Sequence, residues 1–493
     1  MVAAQPISVG AAARRGVAWV TVGNVVCAAL QLVQLAVLAR LLSPGDYATM
    51  AIATAITGFV ALTTEFGVSS SIIHYRDADQ TQLSTLYWIN IAFGAAGATC
   101  LIAATPLIAG FYRQSNIEAV LHWTALSLLV NSMGAQFRAL NQRDMRFGIL
   151  AGSDVVAAAL STFVAILSAT AGLGVLSLAL GVLTGAATGT IINVASCWRT
   201  HRPRLLFRID RATRFLKYGS FLVGSQMLDF FVSQLDVVAL GRLSPATLGY
   251  YSAAKQMSSR PMALINPIFN RVALPALSAL QHRPESIGPA YLRGLRLACG
   301  LTFPIYAFMF FSAEPLVLVL LGEKWHLAIP IVRALAIYFL VIASANPVGS
   351  LLMATGRVRI ALYWNVAAAI LVPIAVVVAA SHGAIAVAGT LAAIYWVLIY
   401  PAWYVLIYRT CRLGFRDYFG TLARPLAAAF VAGVIAHVAA SGAESPLIAL
   451  CLVLGTFSVA YPAASWLLNR SLLRELLLLV SSFRPSQMGE QGR

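Results

Sequence analysis

The residues best suited to chemistry are four charged side chains that fall inside long apolar stretches. Asp229 and Asp236 lie seven positions apart in one stretch, and Lys255 and Arg260 lie in the next. Seven residues advance a helix by about 700°, so the two carboxylates share one helix face. Ionisable groups inside membrane helices are expensive and usually serve a substrate or ion pathway. The four residues are therefore predicted to line a polar, partly cationic cavity that binds an anionic substrate.

The same four residues are predicted to form pairs. A tight turn at Ser244-Pro245 joins the two stretches, so their helices should be antiparallel neighbours. Asp229 lies roughly 18 Å and Arg260 roughly 21 Å along the helix axes from this turn, which places both near mid-membrane. Asp236 and Lys255 could pair closer to the turn. The alternative interpretation is that both pairs only fix the register of the helices.

Four more charged residues are weaker candidates for ion coupling or for the cavity lining, because each can reach a membrane interface by snorkelling. They are Glu65, Asp154, Arg271 and Arg40. The six cysteines are scattered, and neither a phosphate-binding loop nor a catalytic serine motif occurs. We expect no catalytic residue, no cofactor and no metal site, and hence no enzyme.

These residues must be positioned by membrane helices, because the composition excludes a soluble globular protein. Of 493 residues, 60% are hydrophobic and only 10% are charged, whereas soluble domains carry about 25% charged residues. Apolar runs of about 20 residues predict an all-α polytopic membrane protein. About fourteen spans are predicted, at 16–41, 46–67, 82–109, 117–139, 148–171, 174–198, 215–240, 246–274, 292–320, 327–352, 359–381, 384–408, 417–440 and 445–469.

The predicted topology accounts for the formal net charge of +17. With the N-terminus in the cytoplasm, most Lys and Arg residues fall on the cytoplasmic side, as the positive-inside rule requires. This distribution makes nucleic-acid binding unnecessary, and no removable signal peptide is recognised. The longest basic run, 198–217, is either an amphipathic helix on anionic lipid or a solvated hinge. We predict a multi-pass membrane protein with both termini cytoplasmic.

An internal repeat organises the spans. Residues 38–53 align with 239–254 through their Ser-Pro turns, and Pro106-Leu107-Ile108 aligns with Pro315-Leu316-Val317. The repeat is parallel and predicts two six-helix lobes around a central cavity, plus two further helices, which is transporter architecture. The predicted regions are an N-lobe at 1–198, a basic cytoplasmic linker at 199–214, a C-lobe at 215–409, two additional spans at 410–470 and a cytoplasmic amphipathic tail at 471–493.

Four segments resemble the bacterial polysaccharide-export flippases of the Wzx type. They are PALSALQHRPESIGPAYLRGLRLACGLTFP (275–304), AEPLVLVLLGEKWHLAIPIVRALA (313–336), LARLLSPGDYATMAIATAI (38–56) and SQLDVVALGRLSPATLGYYSAAKQM (233–257). The resemblance is to the colanic-acid and exopolysaccharide branch of the multidrug/oligosaccharidyl-lipid/polysaccharide exporter superfamily, and it covers most of residues 10–440. Many members have twelve spans, so residues 417–493 are additional.

This resemblance implies flipping of undecaprenyl-pyrophosphate-linked oligosaccharide units from the cytoplasmic to the periplasmic leaflet. The implied partners are that lipid-linked oligosaccharide, the lipid bilayer, and the polysaccharide polymerase and export machinery. Cavity positions in related flippases imply the same four residues, with Lys255 and Arg260 binding the pyrophosphate. An anion leaving a negative cytoplasm gains about 2.3 kcal/mol per charge at 100 mV.

Three alternatives remain open from the sequence. A multidrug or cation antiporter of the same superfamily would favour acidic cavity residues, and the cations Lys255 and Arg260 count against it. A membrane polysaccharide polymerase would need a substantial external loop with catalytic groups, and no predicted external loop is long. A flippase of a cell-wall precursor would differ only in the sugar that it carries.

Overall fold

The computed structural model describes residues 9–65, 68–75, 77–114, 116–278, 284–355, 358–470 and 472. These residues are almost entirely helical and include no β-strand, which confirms the predicted all-α class. The α-helices are α1 (Val9–Leu41), α2 (Pro44–Glu65), α3 (Val68–His74), α4 (Gln80–Tyr112), α5 (Ile117–Arg143), α6 (Phe147–Thr170), α7 (Leu176–Cys197), α8 (Ile209–Leu243), α9 (Pro245–Ser278), α10 (Pro284–Phe311), α11 (Ala313–Leu320), α12 (Ala328–Ala354), α13 (Val358–Ala380), α14 (Ala384–Ile394), α15 (Tyr400–Cys411), α16 (Phe415–Ala440) and α17 (Pro446–Leu468).

The chain is a multi-pass membrane protein. Within the described ranges, 10 helices are long and apolar enough to cross a membrane. Each predicted span overlaps a long helix, and span 12 corresponds to α14 and α15 joined by a π-helical turn at Tyr395–Ile399. Helices α5, α8 and α9 contain 27, 35 and 34 residues and have the length of spans, but they are more polar. The total of fourteen is compatible with this architecture. The predicted tail at 471–493 lies outside the described residues, apart from Leu472.

The helices form two compact units. The first comprises Met1–Ala253 together with Pro373–Ala384. In this unit α6 packs against α1 and α7, α5 packs against α4 and α7, and α2 packs against α4, α5 and α8. At one end of these helices, α3, α4, α5, α7 and α8 share a buried apolar cluster that includes Ile72, Leu86, Phe137 and Phe215. This cluster fixes the start of α8 against the preceding helices.

The two Ser-Pro turns of the repeat approach each other within the first unit. A Cβ atom on Gly249 would overlap the carbonyl group of Pro44, so only glycine permits this contact without a shift of the backbone. The Ser244 hydroxyl also donates to the carbonyl of Ala380 at 2.8 Å. The turn between α8 and α9 is therefore packed on two sides.

The second unit comprises Ala254–Val372 and Ile385–Arg493. Here α10 packs against α12 and α16, α16 packs against α17, and α12 packs against α15. Its interior is aromatic, with Tyr291, Tyr306 and Tyr418 almost completely buried. The lobe and linker boundaries derived from the repeat stay a prediction, because these units are defined by packing and not by the repeat.

Several helices begin or end at residues other than those predicted from the apolar runs. Helix α8 begins at Ile209, six residues before the predicted span, because Ala212 and Phe215 are fully buried although charged residues surround them in the sequence. Helix α9 continues through Pro261 and Pro267 to Ser278. The short helix α3 and the break between α10 and α11 at Ser312 fall inside or between predicted spans and were not anticipated.

Candidate functional site

Asp236 is held by a hydrogen bond between the two helices of the α8–α9 hairpin. Its side chain is 6% exposed, and the Tyr251 hydroxyl donates to Oδ2 at 2.5 Å. The Val237 N–H donates to Oδ1 at 2.7 Å. Tyr251 is itself fully buried near the start of α9. The carboxylate thus ties α8 to α9, which agrees with the interpretation that Asp236 fixes the helix register.

The other three residues of the predicted substrate site lie on the same two helices. Asp229 is exposed on α8, seven residues before Asp236, whereas Lys255 and Arg260 are half-buried on α9. Counted from Pro245, where α9 begins, Lys255 lies roughly 15 Å and Arg260 roughly 22 Å along the helix axis. The pairs Asp229–Arg260 and Asp236–Lys255 stay predictions.

Asp154 has a partner that the sequence reasoning did not assign. Arg138 on α5 forms a two-pronged ion pair with the Asp154 carboxylate on α6, with N–O distances of 2.6 and 3.0 Å. The two side chains are 50% and 38% exposed, respectively. Two parallel N–H···O bonds fix the orientation of both groups more strongly than a single contact does.

This ion pair lines a cavity inside the first unit. The cavity has a volume of about 490 Å³ and is enclosed by residues of α2, α4, α5, α6 and α7. Its polar lining residues are Thr64, Asn90, Asn131, Ser132, Arg138, Asp154, Thr190 and Asn193. Asn90 is 1% exposed; its amide donates to the Ser132 carbonyl at 2.6 Å. Its Oδ1 atom has no hydrogen-bond partner among the described residues.

A buried polar network supports the walls of this cavity. The Asn193 amide on α7 donates to the Ser153 hydroxyl on α6 at 2.9 Å. The Asn141 amide on α5 donates to Asn193 Oδ1 at 3.1 Å and to the Ser196 hydroxyl at 2.8 Å. Satisfied buried networks of this kind give helices a defined mutual position. The cavity is therefore a preformed polar site with one carboxylate, one guanidinium and an open amide acceptor.

The spacing of residues along the hairpin of α5 and α6 predicts that Arg138 lies opposite Asp154. Helices α5 and α6 are joined by a short connection at 144–146, and Arg138 and Asp154 lie at similar distances from it. The same counting predicts the pairs in α8–α9.

Of the remaining candidates, the structure describes the side chain of Arg40. Arg40 is exposed in the last turn of α1. Glu65 ends α2 and Arg271 lies within α9, but both side chains lie outside what the structure describes. Within the described ranges, no group of three or more His, Cys, Asp or Glu residues could hold a metal ion.

The architecture is that of known flippases and multidrug transporters. The lipid II flippase MurJ in an inward closed conformation matches with a TM-score of 0.72 at 15% identity, over 92% of this chain and 99% of MurJ. An inward-facing multidrug resistance transporter of the MATE family matches with a TM-score of 0.59 at 12% identity, over 78% of this chain and 95% of the transporter. At these identities the likeness establishes the fold alone.

Relatives in sequence are polysaccharide biosynthesis proteins. The teichuronic acid biosynthesis protein TuaB of Bacillus subtilis is 25% identical over 433 residues, which cover 85% of this chain and 87% of TuaB. The lipopolysaccharide biosynthesis protein WzxC of Escherichia coli is 28% identical over 355 residues, which cover 71% of this chain and 72% of WzxC. The family model described as "Polysaccharide biosynthesis protein" matches residues 37–330, more than half of the chain. The chain belongs to this family of polysaccharide biosynthesis proteins.

Proposed function

We propose that the chain is a lipid-linked oligosaccharide flippase of the bacterial inner membrane, with both termini in the cytoplasm. It moves undecaprenyl-pyrophosphate-linked repeat units to the periplasmic leaflet by alternating access, for the synthesis of exopolysaccharide, capsule or O-antigen. Family membership supports this proposal, as do the names of the relatives and the fold shared with a lipid II flippase. The protein acts by transport and catalyses no covalent step.

The position of Lys255 and Arg260 carries the proposal. The hydrocarbon core of a bilayer is about 30 Å thick, and α9 places these cations roughly 15 and 22 Å from its first residue. Both are half-buried in a helix of 34 residues. Cations at this depth lower the cost of bringing a pyrophosphate headgroup into the membrane.

Electrostatics also favours the direction of transport. A pyrophosphate carries roughly two negative charges, and each gains about 2.3 kcal/mol per 100 mV when it leaves a negative cytoplasm. Lys255 and Arg260 replace part of the water shell that the phosphates lose on entering the membrane. Asp229 and Asp236 lie on the preceding helix and are proposed to complete the substrate site.

Asp154 is the proposed coupling group. Its carboxylate lies in a polar cavity, where Arg138 holds it in a fixed orientation. Breaking the Arg138–Asp154 contact during transport would give the first unit two electrostatic states. Arg40, Glu65 and Arg271 stay weaker candidates for ion coupling or for the cavity lining.

Polymer export in cells tests the substrate site. In a deletion strain complemented with variants, Lys255→Ala and Arg260→Ala should each lower surface polymer by at least about tenfold, the loss expected for one charge-assisted contact in a dry site. Membrane levels of the protein, measured by immunoblot, should stay unchanged. Gln256→Ala, at an exposed position of the same helix, and Arg293→Ala, an exposed cation on α10, are matched controls.

Wild-type export by both α9 variants would exclude pyrophosphate binding by these cations. Increased drug susceptibility of the deletion strain, with normal polymer, would instead identify a multidrug antiporter. Polymerisation of repeat units by the purified protein would identify a polymerase.

A further inference from the structure

The basic segment between α7 and α8 is an extended strap, and not an amphipathic helix. The helix α7 ends at Cys197, a turn follows, and residues 201–208 have no helical structure before α8 begins at Ile209. We call residues 201–208 the strap. Its sequence, HRPRLLFR, contains three arginines and the apolar run Leu205-Leu206-Phe207.

The backbone of the strap is tied to the first turns of α4. Four hydrogen bonds of 3.0 Å or less join main-chain groups of the strap to side chains of α4. They are Gln80 Nε2 to the Arg202 carbonyl at 2.6 Å, Trp88 Nε1 to the Arg204 carbonyl at 2.8 Å, the Arg204 N–H to Ser84 Oγ at 3.0 Å and the Arg208 N–H to Thr85 Oγ1 at 3.0 Å. These hydrogen bonds use main-chain groups of the strap, so its backbone has one defined position.

A second anchor lies just beyond the strap. Arg214 on α8 forms an ion pair with Asp77 at 2.9 Å and lies over the rings of Tyr75 and Phe215, 5.0 and 4.8 Å from the ring centroids. The hydrogen bond from Arg214 lowers the pKa of the exposed Asp77 carboxyl below its ordinary value.

The strap exposes large apolar side chains. Leu205 is 89% exposed and Phe207 is 59% exposed. Two such side chains at the tip of a water-facing loop would be unfavourable. An interface between water and lipid suits them, because they can enter the boundary between headgroups and acyl chains.

Exposed guanidinium groups lie beside these apolar side chains. Arg199, Arg202, Arg204 and Arg208 are exposed, and none forms an ion pair with a carboxylate in the part of the chain that the structure describes. Guanidinium groups bind phosphate oxygens through two parallel hydrogen bonds. The strap thus carries a cluster of guanidinium groups that can donate hydrogen bonds to phosphate oxygens.

The level of the strap along α4 agrees with a membrane interface. Helix α4 has 33 residues, so it is roughly 50 Å long and exceeds the hydrocarbon core by about 20 Å. Its first turns, which hold the strap, therefore reach the headgroup region. Trp88 is an aromatic residue of the kind enriched at that depth.

We propose that the strap is a binding site for the phosphates of anionic phospholipids in the leaflet beside it. Leu205 and Phe207 insert at the headgroup boundary, and Arg202, Arg204 and Arg208 bind lipid phosphates around them. The hydrogen bonds to α4 hold the strap at this level, so the site is preformed. The interaction does not require the transported substrate and is independent of the proposed flippase activity.

Lipid binding by the purified full-length protein in detergent tests this site. The probe is fluorescent phosphatidylglycerol, with fluorescent phosphatidylcholine as the neutral comparison. The variant R202Q/R204Q/R208Q should raise the Kd for phosphatidylglycerol by about tenfold or more, since each cation near an anionic surface contributes substantially. The Kd for phosphatidylcholine should change by less than about twofold, the range of a neutral surface substitution. Thermal unfolding should be unchanged, because the four backbone hydrogen bonds remain.

The control variant R412Q/R416Q/R424Q removes the same charge from exposed positions at the start of α16 and just before it. It should shift the phosphatidylglycerol Kd by less than about twofold. A second strap variant, L205S/F207S, should weaken binding of both fluorescent lipids. Equal losses in the two arginine variants would overturn the proposal, because general surface charge would then explain binding. An unchanged Kd in R202Q/R204Q/R208Q would also overturn it, and capture of an acidic protein by the strap would then become the better explanation.

Discussion

The interiors of the two units differ in chemistry although both are helical bundles. The first unit contains a cavity lined by the Arg138–Asp154 ion pair and by Asn90, whose Oδ1 atom has no hydrogen-bond partner among the described residues. The interior of the second unit contains several buried aromatic rings, among them Tyr291, Tyr306 and Tyr418. The cavity with the Arg138–Asp154 pair thus belongs to the first unit, whereas the aromatic cluster belongs to the second unit, which also contains the half-buried cations Lys255 and Arg260.

The aromatic cluster of the second unit spans several helices. Tyr400 and Tyr404 on α15 lie 6.3 and 5.5 Å, between ring centroids, from Tyr418 on α16. Tyr395 in the π-helical turn lies 4.9 Å from Tyr338 on α12. Edge-to-face and tilted pairs at these distances each contribute about 0.5–1.5 kcal/mol beyond their buried area. Many such contacts make this interior resistant to rearrangement.

Removal of a buried aromatic ring from the second unit should destabilise the protein more than any other change considered. Tyr291→Ala would leave a cavity in a fully packed interior and should destabilise the protein by about 3–5 kcal/mol. Tyr291→Phe should change stability by less than about 1 kcal/mol, because the hydroxyl has no partner among the described residues and its loss breaks no hydrogen bond. Thermal unfolding in detergent measures both. A loss of polymer export in Tyr291→Phe at unchanged stability would show that this interior also takes part in chemistry.

Neutralising the cavity carboxylate should affect transport more than stability. Asp154→Asn keeps the size of the side chain but removes the charge, and should lower polymer export by about tenfold, equivalent to about 1.4 kcal/mol. The loss in unfolding free energy should stay below about 1 kcal/mol, since both partners are substantially exposed. The exchange R138D/D154R distinguishes a structural role of the ion pair from a role in transport. Restored export would mean that the pair is only structural and would weaken the contrast between the units.

The smallest expected effect is a pH dependence confined to the first unit. Burial, and then the neighbouring Arg143, lower the pKa of His201 below its ordinary value of 6.5, with Asp144 opposing and Arg146 adding to the shift. When the pH falls through 6.5, the unfolded chain takes up the proton first, so stability should decline by less than about 1 kcal/mol. His201→Gln should flatten the acid side of a plot of Tm against pH. Tyr291→Phe should leave that slope as it is in the unchanged protein, and an equal flattening in both variants would contradict the assignment.

The apolar runs predicted the positions of the long helices because burial in lipid demands continuous apolar segments. Their ends were less predictable where packing overrides local polarity. The first turns of α8 contain Asp210, Arg211 and Arg214, which indicate a solvated linker, yet Phe215 is fully buried in the cluster shared with α3 and α4. The pattern of charges along the chain does not predict such tertiary contacts.

The candidate sites were predicted in part. Asp154 was identified from its charge, and the structure adds Arg138 and the cavity around both. The polar lining from α4 and α7 was missed, because single Asn and Thr residues are common within membrane helices and become informative only when several helices converge. Roles for Asp229, Asp236, Lys255 and Arg260 in substrate binding stay predictions.

The contact between the two Ser-Pro turns makes position 249 sensitive to the size of its side chain. In the alignment of the repeat, Gly249 corresponds to Ala48 and Pro44 corresponds to Pro245. The two corresponding positions therefore have different limits, because a Cβ atom at 249 would overlap the carbonyl group of Pro44, whereas Ala48 carries one and lines a cavity together with Pro245. Any side chain at 249 must move one turn away from the other, so a substitution there acts on both halves of the repeat.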